Sequence, residues 1–106
     1  MPVRWLYHLV LASERPAEGA SYAPRSLTTE GFVHCSYRDA VAESARLYFA
    51  DQQPLILRID PRRIAARIEE AITPRGPMPH VFGPIPADAI CEVLTLADLT
   101  TAPDEL

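Results

Sequence analysis

An α+β domain built mainly of antiparallel strands is what this sequence predicts, and three observations carry the prediction. Five or six short apolar segments read as strands, against one good helix and one or two scraps of helix. Strands and helices do not alternate as a parallel sheet requires. The eleven prolines lie mostly at the seams between segments. At 106 residues the chain forms one domain, residues 1–106, large enough to bury roughly two-thirds of its unfolded surface.

Residues 4–11, RWLYHLVL, read as a strand buried on both sides, with Trp5, Tyr7 and Leu9 on one face and Leu6, His8 and Val10 on the other. Ser13 then suits the N-cap of a short helix, with Pro16 in its first turn and Gly19 as its stop. Residues 22–27 form an extended or irregular crossing, because the residue before Pro24 avoids helix. The segment EGFVHCS, residues 30–36, is the next strand.

Ser36 has two readings. It begins the pattern Ser36-Tyr37-Arg38-Asp39, a serine followed three residues later by an acid, which caps a helix over 37–50. Val41, Ala45, Tyr48 and Phe49 would form the apolar stripe of that helix. The cap also places Ser36 where backbone amides face outward, ready for an anion. LILRID is a mostly buried strand, and Asp60-Pro61 opens a short helical turn with Asp60 as its cap. Residues 66–72, ARIEEAI, form a charged strand or strand edge; TPRGPMP is a loop and a candidate flap. PHVFGP is a brief extended segment, and AICEVLTL, residues 89–96, is a strand before a polar tail that frays after Asp98.

Composition narrows the function. All ten basic residues are arginine, and neither lysine nor asparagine occurs, which suggests a GC-rich coding bias and removes arginine abundance as a sign of anion binding. The net charge is -4 and the arginines are scattered, so the basic footprint of a nucleic-acid binder is missing. No segment approaches the length of a membrane span. The start, MPVRWLYHLV, has too short an apolar run for a secretory signal, which leaves the cytoplasm as the expected compartment. Cys35 and Cys91 are expected to be reduced, buried and apolar in role.

The chemistry points to the histidines. All three, His8, His34 and His80, lie in apolar segments. Histidine is costly to bury without partners and is readily recruited to proton transfer or ligand binding. On a strand Phe32, His34 and Ser36 share a face, so an apolar strand ends by presenting a histidine and a serine together. One concave polar site holding all three histidines is the expectation; three separate, hydrogen-bonded histidines are the alternative. No two share a short ligand spacing, so no metal is expected.

YH near the start, then SLTTEGFVHCS, LRIDP, RIEE and PHVFGPIPADAI resemble, in order and spacing, a small bacterial family known as domain of unknown function 952. That family is similar to the ADP-ribosyltransferase fold, and to the small RNA 2'-phosphotransferases in particular. The resemblance implies a split, mainly antiparallel β-sandwich that takes NAD, as substrate and not as cofactor, or a related nucleotide or ribosyl molecule in the crevice between its sheets. It implies substrate-binding roles for His8 and Ser36, a catalytic or substrate-binding role for His34, and an electrostatic role for the acid Glu69 beside the reacting sugar. His80 would sit at the rim, and Arg25 or Arg67 would clamp a pyrophosphate. Strand alternation puts Glu69 with Arg67 but Glu70 with Ile68 and Ile72, so the two acids stay open from the residues alone. A transferase and a non-catalytic nucleotide- or metabolite-binding domain are the two functions to separate.

Overall fold

The computed structural model describes residues 4–74 and 76–99. Its elements run β1 (Leu6–Val10), α1 (Arg25–Thr29), β2 (Val33–His34), α2 (Arg38–Tyr48), β3 (Leu55–Ile59), β4 (Ile68–Thr73), β5 (Gly76–Val81), β6 (Ile90–Leu94) and α3 (Leu96–Leu99). They form two three-stranded antiparallel sheets, in the orders β1-β3-β6 and β2-β5-β4. Among the described residues, no helix is long and apolar enough to cross a membrane.

The two faces of β1 explain how the layers stack. Tyr7 packs with Val41 of α2, Ile56, Leu94 and Leu99, with Trp5 and Leu9 alongside, so the helices cover this outer face. Leu6 and Val10 join Val33, Leu57, Ile59 and Val81 in the core between the sheets. His8 shares that inner face by alternation and so looks toward the second sheet. In the middle strand β3, Ile56, Leu57 and Ile59 are fully buried. Arg58 between them is buried too, and makes a 2.6 Å ion pair to Glu92 through Nη1 and stacks over Trp5 at 4.2 Å.

One short segment stitches the sheets together. Cys35 N–H donates to the Pro79 carbonyl of the second sheet at 3.0 Å, while Ser36 exchanges two backbone bonds with Tyr7 of the first, at 2.7 and 2.8 Å. Tyr22 and Ile85, both outside the sheets, make an isolated antiparallel bridge of their own.

Several elements differ from the sequence expectation. Ser13 caps nothing: residues Ala12–Glu14 make one 3-10 turn, and Arg15 is already extended because Pro16 follows it. The crossing at 22–27 becomes α1 immediately after Pro24, since the pre-proline restriction bears on Ala23 and not on the residues after the ring. α1 is closed by Gly31 at φ +88°, whose N–H and that of Glu30 both reach the Ser26 carbonyl. The N-cap of α2 is Tyr37, not Ser36, because the Ser36 backbone is committed to Tyr7. The buried stripe of α2 is accordingly Ala40, Val41, Ser44 and Ala45, and Tyr48 is exposed.

Of TPRGPMP, expected as a loop, Thr73 ends β4 and the residues from Gly76 on are strand. Gly76 to Pro79 are the first part of β5, paired to β4 in a tight hairpin. Two prolines fit this middle strand because Pro79 offers its carbonyl to the β2 side, so by alternation the nitrogens of Pro77 and Pro79 face β2, which is only two residues long. Cys91 is exposed, unlike Cys35, because β6 is an edge strand and turns it outward. Asp60 does cap its turn, accepting from Arg62 N–H at 2.9 Å with Pro61 at the first position. The residues of the expected frayed tail from 100 onward lie outside those described.

Candidate functional site

Beside the His34-Cys35-Ser36 segment a crevice of about 1090 Å³ opens, and His8, His34 and His80 all line it, as do Ser36 and Arg25. Each arrives by a different route. β1 brings His8 on its inner face. The β2–β5 register sets His34 directly opposite His80. Arg25 begins α1, and Ser36 follows the strand as its backbone turns to β1.

His8 is held at both ring nitrogens: Nδ1 lies 2.5 Å from the His34 carbonyl and Nε2 lies 2.8 Å from the Tyr22 hydroxyl. Burial pushes its pKa below the ordinary histidine value, outweighing the backbone bond that raises it. His34 is exposed and pairs through Nε2 with Glu30 at 2.8 Å. His80 is half-buried and stacks on Phe32, with ring centroids 4.0 Å apart and planes 14° from parallel. Desolvation lowers its pKa first, the nearby His34 lowers it further, and Glu30 opposes both.

Cys35 also borders the crevice, but burial pushes its thiol up to about 12, so it is no thiolate near neutral pH. Among the described residues, no group of three or more histidine, cysteine, aspartate or glutamate side chains is placed to hold a metal ion.

Arg67 and Glu69, expected in the site, do not line the crevice. They form an ion pair with each other at 2.8 Å, and the Arg67 guanidinium lies over Phe82 at 4.3 Å. Glu69 nevertheless sits opposite His80 in the β4–β5 register, and cross-strand partners share a face. It therefore stands beyond the rim on the crevice side of the sheet. Glu70 points to the other face, where it accepts a 2.6 Å bond from Tyr37.

Three residues of the site were not singled out from the sequence. Tyr22 reaches His8 from an irregular segment, Glu30 pairs with His34 across the Gly31 turn, and Phe32 forms the stacking partner of His80. On the expected strand Glu30 would lie about 13 Å from His34, so the pair depends on the Gly31 turn, and for Tyr22 no local signal exists. Gly83, next to the site strand, makes room for Ala66: a Cβ there would lie 2.6 Å from the Ala66 Cβ.

No curated protein matches the chain. Its fold is similar to the crystal structures of protein CC0527 from Caulobacter crescentus and of a double mutant of that protein. Each has a TM-score of 0.73 at 17% identity, with 96% of this chain and 93% of that chain covered. Residues 11–93, which hold His34, Ser36 and His80, match the family described as Protein of unknown function (DUF952), and the chain belongs to that family.

Proposed function

We propose that the crevice takes NAD or a related nucleotide or ribosyl molecule, and that the domain acts on it as an enzyme of ADP-ribosyltransferase type. The observation that carries this reading is a crevice lined by all three histidines, beside the segment that passes from one three-stranded antiparallel sheet to the other. The resemblance implies a split sandwich for nucleotide binding. Ser36 suits a ribose hydroxyl, His8 backs that wall through Tyr22 with both of its ring nitrogens already bonded, Arg25 suits a phosphate, and the exposed His34 with Glu30 suits proton transfer. Breaking a nicotinamide–ribose bond builds positive charge on the sugar, which a carboxylate at Glu69 would stabilise in the transition state. The net charge of -4 and the scattered arginines favour a small substrate over a polynucleotide.

A second reading, a binding domain without turnover, is favoured by the Arg67–Glu69 ion pair, which occupies the acid outside the crevice. Thermal shift with NAD, ADP-ribose and nicotinamide tests binding; a ligand at a hundred times its dissociation constant adds about 2.7 kcal/mol. Nicotinamide release from NAD by wild type and by Glu69→Gln then separates the two readings. Release that drops in the variant at unchanged affinity supports the enzyme, binding without release supports the binding domain, and no stabilisation by any of the three ligands rejects both.

A further inference from the structure

Tyr22 lies outside every regular element yet is held from two directions. Its backbone exchanges bonds of 2.8 and 2.9 Å with Ile85, and its hydroxyl lies 2.8 Å from His8 Nε2. The proton positions in this chain of bonds follow from the partners. The His34 main-chain carbonyl can only accept, so His8 Nδ1 must carry a proton to bond it. A neutral imidazole with Nδ1 protonated has a bare Nε2, which can only accept. The Tyr22 O–H must therefore donate to His8. A phenol has one proton, and this one is spent.

We propose that Tyr22 is a specificity-determining residue of the crevice: its oxygen offers a ligand only lone pairs, and so selects one that brings a hydroxyl or N–H donor to that point. Tyr22 lines the crevice beside His8 and its ring is otherwise buried, so the oxygen is rigidly placed. A ligand presenting an ether, a carbonyl or an anionic oxygen there meets lone pair against lone pair. Burial lowers the His8 pKa and raises that of Tyr22 to about 12, which keeps the arrangement intact near neutral pH. The donor requirement stands on the geometry; that the donor is a ribose hydroxyl rests on the nucleotide reading above.

Nitrogen-15 NMR of the ligand-free protein tests the proton positions. The Nδ1–H tautomer is expected for His8, and the Nε2–H tautomer overturns the proposal whatever binds. Adenosine and its 2'- and 3'-deoxy analogues test selection: one deoxy analogue should bind wild type about tenfold more weakly, and Tyr22→Phe should erase that gap. Binding without any gap overturns the proposal. If no nucleoside binds, the nucleotide reading fails separately, and phenol against anisole reads the acceptor. Phenol alone shifting the His8 Nε2 resonance supports the proposal, and equal or absent shifts overturn it.

Discussion

His34 and His80 stand opposite one another across the β2–β5 pair, their ring centroids 5.5 Å apart in an edge-on arrangement. Residues in direct cross-strand register share a face, so both rings emerge on the crevice side together. The pair also differs in setting: His34 is exposed and tied to Glu30, while His80 is half-buried against Phe32.

Because the His34 ring is exposed and its structural bond to His8 uses the main-chain carbonyl, His34→Ala should leave the fold intact. Ligand affinity should fall about tenfold, the loss of one hydrogen-bonding group, with the melting temperature almost unchanged. Calorimetry and a melt on the same preparation check this. A large melting loss with intact affinity would assign His34 to packing.

Stability should depend on pH through His8 and His80. Both have pKa values held below the ordinary histidine value, mainly by desolvation, so between the folded and unfolded values the unfolded chain binds more protons. Their contribution is complete above about pH 6.5 and is lost as pH falls through the lowered folded values. Melts across that window should show the decline, and the double variant His8→Gln with His80→Gln should flatten it.

Gly83→Ala should destabilise by about 1–3 kcal/mol, because the added methyl would collide with the Ala66 Cβ at 2.6 Å in a closely packed contact. Gly83 does not line the crevice, so ligand affinity of the folded variant should match wild type. Denaturant unfolding and a binding isotherm read the two quantities separately.

Tyr37→Phe removes the bond to Glu70 that ties the start of α2 to β4. The Tyr37 hydroxyl is raised to about 12, first by burial and then by that bond, so it is a proton donor throughout the physiological range. The loss should be about 0.5–1.5 kcal/mol of stability in denaturant unfolding, without effect on ligand binding.

What the sequence determined by itself was whatever local physics decides. β1 had to be buried on two faces because both of its alternating sets are apolar, and the structure packs helices on one and the second sheet on the other. The Asp60-Pro61 cap needs only residues 60 to 62. The three histidines in apolar segments raised a shared polar site against three separately bonded histidines, and only the structure shows all three lining one crevice.

Tertiary pairing decided the rest. Ser36 has the chemistry of a cap, but the backbone bridge to Tyr7 takes its main chain, and the helix begins later. The prolines of β5 read as a loop until β2 proves too short to need their missing donors. Alternation places Glu69 on the face of His80, yet only the three-dimensional structure shows its carboxylate paired with Arg67. Tyr22 and His8 are fourteen residues apart, with no periodicity connecting them. Periodicity tells which face a side chain takes; what stands across from that face, and which proton the pair shares, depends on a neighbour that long-range strand pairing supplies.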